Sequence, residues 1–454
     1  MQLKTGDKKP HSIRDSLALA TCTLLAGVAP QTQAAQFQSP WQVDGGLLIY
    51  AEKDRVQLVE PVLQLRKEID DGEFVTARFV ADALTGASPN GAAPTDAPQT
   101  FTSPSGNKTY TTKANEIPLD NTFSDTRGAV NLTWEKPLTE RLRGIFGGSF
   151  SAETDYTSFG VSATLAQDFN QRNTTLTAGI SLDADSVSPL GGAPTAFSPM
   201  PTTVVGGGGG DEEGGPSESK TVQQYLLGVT QVLGRNTLTQ LNYSYGHSSG
   251  YLTDPYKILS VLTNDGSGNL RATDPYVYEK RPDSHTYQTV YWKGIHQFGN
   301  EDVLTLAYRH GWDDWGITSN TYDVRYRWEM KGGHYLQPHF RLYKQSAADF
   351  YRQTITAGEL PTLDYASADS RLGDLTTQTV GLKYGIAVAK DSEFNFRVEY
   401  MHQTGKTRTE DAVGKLQGYD MFPENKAVII QFGVSMSTDT LAKRLGTVYR
   451  RIDN

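Results

Sequence analysis

Apolar and polar residues alternate with a period of two along much of this chain. In Glu393 to Tyr400, Phe394, Phe396, Val398 and Tyr400 alternate with Asn395, Arg397 and Glu399. In Tyr322 to Glu329, Tyr322, Val324, Tyr326 and Trp328 alternate with Asp323, Arg325, Arg327 and Glu329. An amphipathic helix repeats every 3.6 residues, so these runs are strands with one apolar and one polar face. The same alternation runs through Val380 to Val388, Val428 to Met436 and Leu176 to Leu182. Strands are expected near 41–52, 55–69, 73–84, 124–136, 141–153, 156–169, 174–185, 220–233, 237–250, 284–297, 302–312, 317–330, 334–347, 373–389, 393–404 and 425–437.

The connections between these strands fall into two kinds. Long ones, rich in Gly, Pro, Ser, Thr or Asp, run 85–123, 186–219, 251–283, 348–372 and 405–424. Short turns include Asp70-Asp71-Gly72, Asn170 to Asn173, Lys331-Gly332-Gly333 and Lys390-Asp391-Ser392. Every long connection follows an odd-numbered strand and every even-to-odd connection is short. A transmembrane barrel requires that parity, with long loops outside and short turns and both termini in the periplasm. The expected fold is therefore all-β: a transmembrane antiparallel β-barrel of about sixteen strands. Pro61 and Pro338 depart from the pattern, because each removes a ladder donor inside a strand.

The ends of the chain add an export route. Lys4, Lys8, Lys9 and Arg14 precede an apolar run from Leu17 to Ala29, followed by Thr32-Gln33-Ala34, the order of a secretory signal peptide. That divides the chain into a signal peptide at 1–34, an outer-membrane barrel at 35–437 and a basic periplasmic tail at 438–454. The one cysteine, Cys22, lies in the apolar run, so the mature chain has no cysteine for a disulfide, thiolate metal site or haem attachment. Removal of four basic and two acidic residues takes the net charge from −9 to about −11, a sign that argues against nucleic acid as a partner. Mean hydropathy is −0.47, which fits a barrel because strands hide their apolar half in alternation.

Sixteen strands enclose a lumen too wide for side chains alone to fill. Arg309, Arg325, Arg327, Arg341 and Arg397 share the phase of the polar face and would line it. Two readings stay open for them: an anion-attracting wall, or lumen ion-pair ladders neutralised by Asp323, Glu329 and Glu399. Trp41, Trp134, Trp292, Trp312, Trp315 and Trp328 fall near strand ends, as interfacial girdles do. The eight histidines are scattered without the close spacing of a metal site. His247-Ser248-Ser249 reads as a surface turn at a strand end. Gly206 to Gly210 with Asp211, Glu212 and Glu213 reads as a glycine-rich loop tip.

The segment Asp82-Ala83-Leu84-Thr85-Gly86-Ala87-Ser88 resembles the acceptor motif of proteins that receive FMN covalently from a FAD:protein FMN transferase. The resemblance implies an FMN ester on Ser88, with Asp82, Thr85, Gly86 and Ala87 as the rest of the motif. Serine in place of the commoner threonine, and Pro89 directly after it, depart from that pattern. Parity also puts this loop outside, so modification would precede insertion. The segments Leu84 to Gly91, Tyr251 to Lys257, Arg281-Pro282-Asp283, Trp312 to Gly316 and Ala347 to Tyr351 are similar to an uncharacterised family of outer-membrane β-barrels, a domain of unknown function. Its genes often neighbour a flavin transferase and a small lipoprotein, which that resemblance offers as partners beside outer-membrane lipid.

The expected function is a channel or scaffold in the outer membrane, linked to an extracytoplasmic flavin-dependent redox or transport system, and not an enzyme. Two alternatives remain: a barrel-type hydrolase using His247, Ser248 and Asp254 near the mouth, and a soluble exported β-sandwich. In the sandwich Phe394, Phe396 and Val398 would face a protein core, whereas in the barrel they meet lipid.

Overall fold

A computed structural model describes residues 40–102, 109–189, 192–201, 217–264, 266, 270–389, 392–406, 416, 418, 419 and 421–438. The signal-peptide region, the glycine run at 206–213, the turn residues Lys390 and Asp391 and the tail beyond Thr438 lie outside the described residues.

The first half contains β1 (Gln42–Glu52), β2 (Gln57–Asp70), β3 (Glu73–Pro89), β4 (Gln99–Thr102), β5 (Thr109–Thr112), β6 (Leu119–Pro137), β7 (Leu142–Ala152), β8 (Tyr156–Phe169), β9 (Thr174–Val187) and β10 (Glu218–Gly234). The second contains β11 (Thr237–Gly250), β12 (Ile258–Asn264), β13 (Leu270–Tyr278), β14 (Ser284–Gln297), β15 (Val303–Asp313), β16 (Thr318–Met330), β17 (His334–Gln345), β18 (Thr354–Thr356), β19 (Leu375–Ala389), β20 (Ser392–Gly405) and β21 (Asn425–Ser437). Sixteen of them, all but β4, β5, β12, β13 and β18, close into one barrel in chain order. Each barrel strand pairs antiparallel with its sequence neighbour, and β21 closes the ring on β1 from Gln42↔Ser437 to Glu52↔Ala427. No helix among the described residues is long and apolar enough to cross a membrane; the strands do the crossing.

The apolar face points outward. Leu227 is 60 % exposed, Phe159 58 % and Leu132 54 %, while the alternating Phe394, Phe396 and Val398 are exposed as well. A sandwich would bury those side chains against a second sheet, so the closed ring excludes that alternative. Trp41, Trp134, Trp292 and Trp328 lie exposed toward the short-turn rim. Trp315 does not join them. It is buried, with its ring against Phe350 and its Nε1 donating to the Ser284 carbonyl at 2.9 Å.

Both prolines interrupt one ladder only. Pro61 pairs normally with Leu47 of β1, but the β2–β3 ladder skips from Val59↔Ala83 to Val62↔Val80. Pro338 likewise pairs with Leu382, while the β16–β17 ladder skips from Arg325↔His339 to Trp328↔Leu336. A missing N–H costs one side of a strand its donor and leaves the other side intact.

Inward glycines let long polar side chains lie flat along the wall. A Cβ on Gly246 would sit 2.2 Å from the Tyr287 ring, and one on Gly385 would sit 2.2 Å from the Tyr335 ring. Each tyrosine crosses the neighbouring strand at its glycine instead of projecting into the lumen.

The five long connections are not separate loops. They fold together into a cap over the barrel end opposite the chain termini. β12 pairs with β13 and, in parallel, with β18; β4 and β5 form a second small sheet. One core joins Ala92, Phe101 and Tyr110 to Met200, Ile258 and Tyr276, taken from three connections. A second joins Leu259, Val261 and Val277 to Ile355, Ala366 and Ala368. A third joins Ala93 and Leu262 to Leu416 and Met421. β3 and β6 continue above the barrel to reach this cap, ending at Pro89 and beginning at Leu119, which is why the expected boundaries of 84 and 124 fall short.

Candidate functional site: the lumen and its cap

Because the outward phase is apolar, the other phase is the lumen. On β14 to β20 it forms four successive rungs rich in cations. Nearest the cap stand Tyr291, Arg309, Thr321, Tyr343 and Thr377. Below them come Lys293, Ala307, Asp323, Arg341 and Thr379, then Thr305, Arg325, His339, Gly381 and Glu399. Arg327, Lys383 and Arg397 occupy the fourth rung. Seven cations thus share these rungs with two carboxylates, Asp323 and Glu399.

Those two carboxylates are heavily shared. Asp323 meets Arg325 at 3.1 Å, Arg341 at 2.8 Å and His339 Nε2 at 2.9 Å. His339 Nδ1 reaches Glu399 at 2.7 Å, and Arg397 approaches the same carboxylate at 3.6 Å. Arg327 pairs with Glu329 and stacks 3.6 Å above the Tyr335 ring. Lys383 meets Glu393 at 3.5 Å. Arg309 has no ion pair among the described residues; the groups facing it are the phenols of Tyr343, Tyr287 and Tyr291. The five arginines singled out in the sequence therefore lie on one wall, four of them in the ion-pair ladder and one outside it.

The charge balance reverses across the lumen. There Glu60, Asp82, Asp125, Glu135, Asp168, Asp183 and Asp185 face inward with Arg66, Arg78, Arg127, Arg143 and Lys220. Arg127 pairs with Asp82, Arg143 with Glu135 at 3.1 Å, and Lys220 with Asp185 at 3.4 Å. Low-dielectric walls of opposite sign set up a field across the lumen that acts on any charged solute inside it.

The cap carries its own polar centre. Glu279, Ser367 and Asp254 are buried, with Asp369 beside them. Arg281 donates to Glu279 at 2.6 Å and to Asp369 at 2.8 Å, while Arg371 donates to Asp254 at 2.5 Å and to Asp369. The Asp254 amide donates to Glu279 at 2.7 Å, the Ser367 hydroxyl donates to the same carboxylate, and Lys257 Nζ donates to the Pro89 carbonyl. Burial works to raise the Asp369 carboxyl, yet Arg371, Arg281 and Lys257 together hold it well below the usual carboxylate range. Burial pushes the Glu279 carboxyl up against the pull of Arg281, and pushes the Lys257 amine down. The resembling segments around 251–257 and 281–283 thus meet in one network. Sequence spacing gave no sign of it, since its members come from distant connections.

The Asp82–Ser88 segment is the far end of β3. Asp82 faces the lumen and pairs with Arg127, while Thr85 and Gly86 oppose Ser124 and Phe123. Gly86 has φ +133° and its Cβ position lies 2.2 Å from the Arg55 carbonyl oxygen, so only glycine fits there. Ala87 falls at the register shift, and half-buried Ser88 pairs with Asp120. Ser88 therefore sits in a strand and not in a free loop.

The hydrolase residues are not brought together. His247-Ser248-Ser249 belongs to β11 and not to a turn. His247 lies on the outward phase with its Nδ1 3.0 Å from Thr286 Oγ1, whereas Ser248 lies on the inward phase opposite His285. The Asp254 carboxylate is committed to Arg371 in the cap.

A closed ring with an apolar exterior, a charged lumen and a folded cap over one mouth defines a transmembrane β-barrel. The chain belongs to the family described as "Protein of unknown function (DUF3570)", whose model matches residues 14–436. No curated protein matches it in sequence. Among solved structures it is similar to a bacterial polysaccharide outer membrane secretin, at 7% identity and TM-score 0.41 over 88% of this chain and 98% of that one. It is also similar to OccK5 (OpdH) of Pseudomonas aeruginosa, at 8% identity and TM-score 0.39 over 88% and 98% of the two chains. A third is the outer membrane protein opdK of the same organism, at 10% identity and TM-score 0.37 over 88% and 99%.

Proposed function

We propose that the chain is an outer-membrane conduit whose outer mouth is covered by the cap. The observation that carries this reading is the segregation of charge: the lumen side of the wall holds opposed basic and acidic faces, while the lipid side is apolar except near strand ends, as at Lys67, Lys136 and Lys344. A sixteen-strand ring is wide enough for an aqueous channel, and water is the medium that those half-buried lumen charges require. We assign the chain no catalytic role. The test is planar-bilayer recording of purified protein that shows a heat-modifiable gel shift. Discrete conductance steps are expected, and folded protein that inserts without current would overturn the reading.

The link to a flavin-dependent system, with a transferase and a small lipoprotein as partners, rests on the resemblance of Asp82–Ser88 to an FMN acceptor segment. The folded position of Ser88 in the β3–β6 ladder fits attachment to the exported chain before insertion, because a transferase needs the segment extended and exposed. Bound FMN would supply redox chemistry that a chain without cysteine ligands lacks. Co-expression with such a transferase is expected to raise the intact mass by one FMN unit, and Ser88→Ala to abolish the rise without affecting insertion. An unmodified mass in the presence of active transferase would reduce the motif to a strand end.

A further inference from the structure

We propose that the cap end of the basic wall is a binding station for small organic dicarboxylates, centred on Arg309 of β15 and Lys293 of β14. The inference rests on the reading of the lumen as a solute path and names the class of solute that the path recognises.

Charges taken partly out of water are normally paired. Arg325, Arg327, Arg341 and Arg397 obey that rule through Asp323, Glu329 and Glu399. Arg309 makes no ion pair with a carboxylate among the described residues, and neither does Lys293, on which the charge of Asp323 acts without a direct pair. Asp323 is already shared by two guanidiniums and His339. Both cations are half-buried on the inward phase, so lumen water reaches them.

Two of the three phenols around Arg309 are free to donate; the third, Tyr343, gives its proton to Gln345 Oε1 at 2.6 Å. Its cross-strand partner Tyr291 makes no hydroxyl hydrogen bond among the described residues. Tyr287 lies flat over Gly246 with its oxygen accepting from Gln224 Nε2 at 2.7 Å, which leaves its own proton to donate. A guanidinium takes a carboxylate in a two-pronged fork, and phenolic O–H groups beside it complete the anion's shell. Lys293 stands one rung lower, diagonal to Arg309 across the β14–β15 ladder. Diagonal partners lie about 7–8 Å apart, so a four-carbon diacid can present one carboxyl to each.

Titration calorimetry on the folded full-length barrel in detergent, at low salt and with sodium succinate as the probe, tests the site directly. Saturable binding is expected that weakens as salt is added, while 1,4-butanediol, of similar length and uncharged, gives no signal. Arg309→Gln is expected to weaken succinate at least tenfold. Arg309→Lys keeps the charge and loses the fork, so it falls between the two. Heat-modifiable migration of each variant reports that the barrel has formed. Absence of saturable succinate binding by the wild type, or equal affinity in Arg309→Gln, would overturn the proposal. Bilayer recordings on the same samples separate the two readings. Succinate binding without current keeps the site and removes the conduit, and current without succinate binding does the reverse.

Discussion

Arg281 holds its guanidinium between Glu279 and Asp369 inside the cap. Removing one member of a buried ionic network leaves an uncompensated charge, at a cost of about 3–5 kcal/mol. Arg281→Met is therefore expected to loosen the cap, read as faster protease cleavage in 251–283, while the barrel keeps its heat-modifiable migration. The same cluster gives the cap a pH dependence of worked sign. Asp369 has a folded value below its unfolded one, so its contribution is present above about pH 4 and is lost as pH falls through the folded value. Glu279 is shifted the other way, so its contribution is full below the ordinary carboxylate value and is lost as pH rises from there through its raised value. Protection of cap amides from hydrogen exchange is expected to peak near about pH 4 and to fall on both sides of it. A profile flat from neutral pH down to pH 3 would contradict this.

At the scale of elements, the sixteen barrel strands were legible because each carries its own period-two signal. Phe394 to Tyr400 needs no distant partner to be recognised as a lipid-facing strand. The cap was not legible. Phe101, Tyr110, Met200, Ile258 and Tyr276 come from different connections and show no local period, and only the folded chain brings them into one core. The same dispersal hid the Glu279–Arg281–Asp369 network, and it made Trp315 look like a girdle residue when it is cap core. Lumen arginines were legible as a phase, whereas the isolation of Arg309 from carboxylates depends on register across neighbouring strands. Phe101 is 1 % exposed and packs its ring 4.9 Å from Tyr276 and 5.3 Å from Tyr110. Truncation at such a site costs about 3–5 kcal/mol. Phe101→Ala is expected to open the β4–β5 hairpin to protease and to raise single-channel conductance, with the barrel strands unaffected. Unchanged cleavage and conductance would mean that the hairpin does not hold the cap closed.

For the whole molecule, fold and proposed function both depend on sidedness. The long connections share one end, the short turns and both barrel termini share the other, and the cap covers the first. The single cysteine lies at position 22, within the segment expected to be removed on export, so single-cysteine substitutions report sidedness against a clean background. Ala97 is exposed in the cap and Arg235 is exposed in the short turn between β10 and β11. The most direct test is labelling of intact cells with a membrane-impermeant maleimide. Ala97→Cys is expected to react on intact cells, and Arg235→Cys only after the outer membrane is permeabilised. Equal labelling of both on intact cells, or the reverse order, would contradict the account.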